Sequence, residues 1–303
     1  MVSPVELWPS VAGLAIFAAG LVVARKGFAA APAPASGSVS VALLEKLIVL
    51  GPVFYAAPLA AFGAEHFAIG QPMAGMVPRW IPWHVFWIYF VGLALIAAAL
   101  SLAFRRCLRW SALLLAILFL IFVLTMDLPA TIAQPANRIN WVLLCRESSF
   151  AAGALALTGT LLRQESDQIS KVLIVPARIL IGVALLFYGV QHILHPECVI
   201  GVPLEKLTPG WVPWPHVWAA LTGAILFVAG IALLINKRSR LAASVTGLVM
   251  VVITVFLYTP IWLMDRGTAQ VVEGLNYFFD TLLYGGAVLL LAGAMPKSDR
   301  ESS

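Results

Sequence analysis

Residues Val77–Trp87 read V-P-R-W-I-P-W-H-V-F-W, and a second stretch, Thr208–Trp218, reads T-P-G-W-V-P-W-P-H-V-W. Each leads into a long apolar run, and tryptophan is enriched where helices enter a membrane interface. Pro82 and Pro215 are predicted in the first turn of their helices, where the missing N–H of proline costs no hydrogen bond. We therefore interpret both stretches as interfacial anchors at the start of transmembrane helices. The anchoring side chains are Trp80, Trp83, Trp87, Trp211, Trp214 and Trp218.

The composition is that of an integral membrane protein. The 303 residues are 61% hydrophobic and only 11% charged, with a mean hydropathy of +0.96. Several apolar runs approach the roughly 20 residues that cross the hydrocarbon as a helix. We predict an all-α polytopic membrane protein with about nine spans. The net charge of +5 does not indicate nucleic-acid binding, because the basic residues lie in short runs between apolar segments.

The Pro- and Trp-rich stretch is one part of an internal repeat. F-G-A-E-H-F at Phe62–Phe67 matches Y-G-V-Q-H-I at Tyr188–Ile193, and R-E-S-S-F-A-A-G-A-L at Arg146–Leu155 matches F-D-T-L-L-Y-G-G-A-V at Phe279–Val288. The offset grows from 126 to 131 to 133 residues, so the second copy has five extra residues in the loop before its Pro/Trp stretch. The ordered matches predict a tandem duplication. We divide the chain into an N-terminal helix with an Ala/Pro/Ser linker (1–40), a first four-helix unit (41–165) and a second one (166–303).

The distribution of Lys and Arg predicts the topology. With the N-terminus outside, thirteen basic residues lie on inside segments and four on outside loops, as the positive-inside rule requires. An even number of helices gives both units the same orientation. Trp8–Ala24 is interpreted as a retained helix and not a signal peptide, because Glu6 precedes its apolar core and Arg25 and Lys26 follow it. The C-terminus is then inside.

Ionisable residues inside the predicted spans form an outer polar layer, which is the default functional hypothesis because such groups are costly unless paired or hydrated. We expect His66 to pair with Glu147 and His192 with Asp280, around a cavity open to the outer leaflet, while Arg146 neutralises part of the charge. The candidate residues are Glu65, His66, Arg146, Glu147, Gln191, His192 and Asp280.

The alternative for Glu65, His84, His195 and His216 is that they mark helix ends in the headgroup region. Asp127, just before Pro129, is predicted to cap a helix end.

No cofactor motif is evident. The three cysteines include no C-x-x-C pair, so neither a dithiol centre nor a zinc site is predicted. His192 and His195 share a helix face but lack a further ligand, so no metal site is expected. Haem between His66 and His192 has suitable residues but is disfavoured, because histidines near helix ends are more often hydrogen-bonded surface groups. A quinone is compatible with the polar layer.

These motifs resemble the DoxX family of small four-helix membrane proteins. The resemblance rests on Gly63–Phe67, on Val77–Gly92, on the basic turn Arg105–Arg109 and on N-Y-F-F-D-T-L-L-Y-G-G-A-V-L-L-L-A-G at Asn276–Gly293, and it covers the chain twice from Val41 onward. It implies a four-helix fold for each unit and a bacterial cytoplasmic (inner) membrane. Relatives usually carry a glutamate shortly after the glycine that Gly92 matches; neither copy has one here.

What the resemblance implies about function is diffuse: quinone-linked sulfur oxidation, thiol and oxidative-stress complexes, and membrane-protein assembly. Our first hypothesis is an accessory subunit of a quinone- or thiol-linked membrane oxidoreductase system. Its partners would be the lipid bilayer and a quinone or another membrane or redox protein, and no nucleic acid. The alternatives are a non-enzymatic assembly or chaperone-like factor and a small-molecule or ion transporter, whose sites often lie between internal repeats.

Overall fold

The computed structural model describes residues 4–30 and 39–297. About 82% of the described residues are helical, and no β-strand occurs among them. Two π-helical turns, Val123–Asp127 and Thr254–Tyr258, interrupt the α-helical segments. The helices are α1 (Pro4–Ala30), α2 (Val39–Ala68), α3 (Gly70–Met73), α4 (His84–Phe104), α5 (Leu108–Phe122), α6 (Leu128–Ala133), α7 (Arg138–Leu162), α8 (Asp167–Leu194), α9 (Pro215–Leu234), α10 (Ser239–Ile253), α11 (Thr259–Asp265) and α12 (Val271–Ala294).

Eight of the described segments have the length and hydropathy of membrane spans. A ninth, α7, is long enough to cross the hydrocarbon with its 25 residues, but Arg146 and Glu147 lower its hydropathy. The predicted all-α polytopic class is confirmed. The apolar core of α1, Glu6–Arg25, is one of the eight segments. Residues 31–38 of the predicted linker lie outside the described ranges.

The helices surround α12, whose most apolar window is 89% buried inside the protein. This helix packs against α2, α7 and α10, and α7 packs in turn against α5 and α8. The helix pairs α2–α4 and α8–α9 complete the two sides, and α1 lies outside against α2 and α4. The first helix of each predicted unit therefore packs on the last helix of the other unit.

Both halves contain the same close helix crossing. A Cβ atom on Gly63 of α2 would lie 2.8 Å from the carbonyl oxygen of Gly92 on α4. In the second half, a Cβ atom on Gly189 of α8 would lie 2.9 Å from the carbonyl oxygen of Gly223 on α9. Small residues let membrane helices approach each other backbone to backbone, and a side chain at any of these four positions would separate the pair.

The two halves also share unusual backbone geometry. The π turn Val123–Asp127 precedes Pro129, and the π turn Thr254–Tyr258 precedes Pro260. The residues before α4 and α9, Trp83 and Trp214, both have positive φ angles. Pro215 is at the start of α9 as predicted, but α4 begins only at His84. Pro82 lies before that helix, and its carbonyl oxygen accepts a hydrogen bond from the indole of Trp87.

The bundle has two chemically distinct ends. At one end, where α4, α7, α9 and α12 begin, Arg266 pairs with Glu6 and Lys206 with Asp265. We call it the tryptophan end, since all six predicted anchors lie there. At the other, the basic end, Arg109 pairs with Glu165 and Arg240 with Glu45. Each pair joins residues that the topology places on the same side of the membrane. Which end faces the cytoplasm stays a prediction.

Candidate functional site

An ion pair connects the two halves of the chain inside the bundle. The Arg146 guanidinium, on α7, donates through Nη1 to Asp280 Oδ2 on α12 at 2.7 Å and through Nη2 to Glu147 Oε1 at 3.2 Å. The side chains of Arg146, Glu147 and Asp280 are only 19%, 16% and 9% exposed. Arg146 therefore neutralises carboxyl groups of both halves, as the sequence predicts for Glu147 but not for Asp280.

Helix packing brings Arg146 and Asp280 together. The helices α7 and α12 approach closely at Gly153, where a Cβ atom would lie 2.6 Å from Ala287. Arg146 and Asp280 each lie seven residues, about two helical turns, before these contact residues and therefore on the same helix faces. The start of α7 is fixed by Asn137, whose side chain accepts a hydrogen bond from the Ile139 N–H. The crossing thus places a guanidinium opposite a carboxylate two turns nearer the tryptophan end.

Three further residues extend this site. Asn276, one turn before Asp280, donates through Nδ2 to Glu65 Oε1 on α2 at 3.2 Å. Asp127, the last residue of the first π turn, interacts electrostatically with Arg146 and Glu147. Its side chain makes no capping hydrogen bond to α6, so the predicted capping role is wrong. We call the whole group the Arg146 cluster: Glu65, Asp127, Arg146, Glu147, Asn276 and Asp280.

The Arg146 cluster has unused hydrogen-bonding capacity. Buried atoms of the cluster without a hydrogen-bond partner are Asp127 Oδ2, Arg146 Nε and Asn276 Oδ1. Gln191 Oε1, beside His192 on α8, is also buried without a partner, but Gln191 is not a member of the cluster. Buried polar atoms are normally satisfied by protein or by ordered water. The cluster also contains four carboxyl groups and one guanidinium, which is an excess of acid in an apolar surrounding. The cluster can therefore hold protons, water or polar atoms of a ligand.

The two histidines do not take part in the predicted pairs. His192 donates through Nδ1 to the Tyr188 carbonyl at 2.6 Å and accepts at Nε2 from the Gly201 N–H at 3.0 Å. His66 makes the equivalent bond to the Phe62 carbonyl at 2.7 Å. The predicted His66–Glu147 and His192–Asp280 pairs are therefore wrong, because each ring bonds the carbonyl one turn back on its own helix.

These contacts also oppose haem ligation by His192, since both of its ring nitrogens are engaged. Within residues 4–30 and 39–297, no group of three His, Cys, Asp or Glu side chains is placed to hold a metal ion.

The loop between α8 and α9, residues 195–214, contacts both halves at the tryptophan end. The Ile200 carbonyl accepts from the Tyr258 hydroxyl at 2.8 Å, and the Leu204 carbonyl accepts from Arg138 at 2.7 Å. Glu205 on this loop interacts electrostatically with Arg146. Burial raises the pKa of Glu205, although the neighbouring arginines act in the opposite direction. The five extra residues found in the sequence repeat lie in this loop.

The predicted tryptophan anchors have exposed side chains at the tryptophan end. Trp80, Trp83 and Trp214 are the most exposed, at 72%, 77% and 74%. Their positions fit an aromatic belt at the membrane interface. None of the six is a member of the Arg146 cluster, so we assign them no chemical role.

Two family models match separate parts of the chain. DUF8561, a domain of unknown function, matches residues 55–158, and DoxX matches residues 173–259. The DoxX match covers less than a third of the chain. It confirms the resemblance for the second half, whereas the first half matches a different description. The DoxX match contains Gln191 and His192 and ends before Asp280. No curated protein and no solved structure matches the chain.

The sequence identified all three members of the central ion-pair network but missed Asn276 and the role of Asp127. Asn276 lies one turn before Asp280, a spacing that places both on one helix face. That signal was present in the sequence. Nothing in the sequence indicated that Asp127 ends a π turn, a feature often found at functional sites.

Proposed function

We propose that this multi-pass DoxX-domain protein is an accessory subunit of a quinone- or thiol-linked membrane oxidoreductase system, in which the Arg146 cluster stores and exchanges protons. The observation that carries the proposal is the excess of carboxyl groups: Asp127, Glu147 and Asp280 interact with the single guanidinium of Arg146, and Glu65 joins them through Asn276. One guanidinium balances one carboxylate. The other groups are most readily accommodated in an apolar bundle when they carry protons.

Proton storage suits a redox partner inside the membrane. Reduction of a quinone to a quinol takes up two electrons and two protons, and carboxyl groups within reach of the headgroup can supply the protons. The electrons would come from a partner protein. The cluster lies about two turns below the tryptophan end, which is the outer half of the bilayer if the basic end faces the cytoplasm of a bacterial inner membrane.

A second candidate is transport of a small molecule or ion. The Arg146–Asp280 pair, 2.7 Å long, joins the two halves, and transporters built from repeats bind their substrates at the interface between the repeats. The shared glycine crossings, π turns and positive-φ caps support our further proposal that the halves arose by duplication. No specific contact favours the third hypothesis, an assembly factor.

One set of variants distinguishes these functions. The protein is purified in mild detergent as wild type, Glu147→Gln and Asp280→Asn, with Glu165→Gln as a control because that carboxylate pairs at the exposed basic end. We expect a bound quinone in the organic extract of the wild type. In membranes, quinone turnover should fall by about 10²–10⁴-fold in the two cluster variants, since general acid–base groups contribute that much, and remain normal in Glu165→Gln.

Other outcomes would refute the first proposal. Uptake of a solute into vesicles that is lost in Glu147→Gln and Asp280→Asn would establish transport. A quinone-free protein with a stable co-purifying membrane protein and unchanged cluster variants would favour the assembly factor.

A further inference from the structure

A second site lies at the basic end, far along the bundle from the Arg146 cluster. A cleft of about 280 Å³ opens between α2, α4, α5 and α7 in the first half. Its walls are apolar except for one arginine at the mouth. The lining residues are Ile48, Val49, Pro52, Leu102, Arg105, Leu108 and Leu157.

In the second half, an arginine side chain reaches the equivalent helix end. Arg178 on α8 donates through Nη1 to the carbonyl oxygens of Leu233 and Leu234 at the end of α9. Arg178 lies eleven residues before Gly189, and Pro52 lies eleven residues before Gly63.

The other wall corresponds in the same way. Leu102 lies ten residues after Gly92 on α4, and Leu233 lies ten residues after Gly223 on α9. Because the two glycine crossings have the same geometry, Pro52 occupies the position of Arg178, and Leu102 that of Leu233. Pro52 has no side-chain atoms that could reach across to the end of α4 as Arg178 reaches the carbonyl oxygens at the end of α9.

Cations surround the mouth of the cleft. Arg105, at the end of α4, and its neighbour Arg106 are both exposed. Lys46 is exposed one turn before Val49 on the same side of α2. Among the described residues, none of these three forms an ion pair with a carboxylate, whereas the nearby Arg109 is paired with Glu165. The site thus combines an apolar interior with unneutralised positive charge at the membrane surface.

We propose that this cleft binds an anionic phospholipid, with one acyl chain between α2 and α7 and the phosphate at Arg105, Arg106 and Lys46. The apolar walls match an acyl chain, and the three cations match a negatively charged headgroup. An isoprenoid quinone would fill the same apolar volume but has a neutral headgroup and would not use the cations. The site is separate from the Arg146 cluster, so it stands or falls independently of the proposed redox function.

The test is native mass spectrometry of the delipidated, detergent-solubilised protein, titrated with phosphatidylglycerol or phosphatidylcholine. We expect one phosphatidylglycerol to bind more tightly than phosphatidylcholine. Arg105→Gln should weaken it about five-fold, which corresponds to the roughly 1 kcal/mol that each cation contributes near an anionic surface. Arg109→Gln is the matched control, since this arginine is already paired, and should leave the affinity within about two-fold.

A second set of variants tests the cavity itself. Pro52→Arg should place a long side chain in the cleft, as Arg178 extends to the end of α9 in the other half. The variant should lower phosphatidylglycerol binding by at least about ten-fold, whereas Pro52→Ala should bind phosphatidylglycerol as the wild type does. If Pro52→Arg does not fold, Leu157→Trp fills the same volume from α7. Unchanged binding in the filled variants, or equal binding of both lipids by the wild type, would overturn the proposal. So would a quinone that displaces the phospholipid and binds equally well to Arg105→Gln.

Discussion

Replacing Arg146 by methionine tests whether the Arg146–Asp280 pair is a buried ion pair that holds the two halves together. Methionine keeps the approximate length of the side chain but removes the charge, and it leaves Asp280 and Glu147 without their 2.7 Å and 3.2 Å partners. Breaking a buried pair by removing one member costs about 3–5 kcal/mol. An exposed pair contributes about 0–1 kcal/mol, and an interhelical hydrogen bond in a membrane about 0.6 kcal/mol.

The exposed fractions decide between these magnitudes. At 19% for Arg146 and 9% for Asp280, the pair is well buried, so we expect the free energy of unfolding to fall by about 3 kcal/mol. The double variant Arg146→Met with Asp280→Asn removes both charges of the pair and leaves only Glu147 without its partner, so it should be more stable than Arg146→Met by about 1–2 kcal/mol. With the single variant Asp280→Asn completing the cycle, the coupling energy between the two positions should be at least about 1 kcal/mol, above what a hydrogen bond alone provides.

The assay is reversible unfolding in mixtures of mild and denaturing detergent, monitored by the fluorescence of the tryptophans. Arg109→Met is the control, because the Arg109–Glu165 pair is 47% and 57% exposed and its loss should cost less than about 1 kcal/mol. Equal effects of Arg146→Met and Arg109→Met would refute the reasoning. A double variant no more stable than Arg146→Met would refute it as well.

Two predictions concern the loop between α8 and α9. Gly201 has a φ of +130°, and a Cβ atom there would lie 2.7 Å from the Tyr258 hydroxyl. Gly201→Ala should therefore lower the free energy of unfolding by about 1–3 kcal/mol. It should also accelerate proteolysis within residues 195–214. Gly210→Ala, with no atom within 4 Å, should behave as wild type, and equal proteolysis of both would contradict us. Because burial raises the pKa of Glu205 above its ordinary 4.5, the folded state binds the proton more tightly, and the wild type should lose stability as the pH rises above 4.5. Glu205→Gln removes this loss, so unfolding curves should show a greater advantage for the variant at pH 7 than at pH 4; the opposite trend would exclude a raised pKa.

The local features of the fold were largely predictable from the sequence. Gly63 and Gly189 lie at matching positions of the sequence repeat, and the structure places them in the two helix crossings, a role that the sequence analysis did not predict. The helix after Trp214 begins at Pro215 as expected for proline in a first turn. The predictions of the spans and of Pro215 succeeded because hydropathy and proline act through neighbouring residues of the same segment.

The partners of the polar residues were not predictable in the same way. The sequence correctly marked Glu147 and Asp280 as acids inside their helices but assigned them to the wrong partners, His66 and His192. Both rings bond the carbonyl four residues earlier, which is always within reach in a helix. A contact across the bundle must compete with that local bond.

The sequence by itself determined that this chain is a polytopic helical membrane protein with a DoxX resemblance, two similar halves and ionisable groups within the spans. Only the tertiary structure decided that Arg146 of the first half meets Asp280 of the second, and that Pro52 lines a cleft at the position where Arg178 bonds the end of α9 in the other half. The reason is that membrane helices are apolar on the faces toward lipid and toward each other. Hydropathy therefore defines each span but does not specify its neighbours, which follow from close crossings such as that of Gly153 with Ala287.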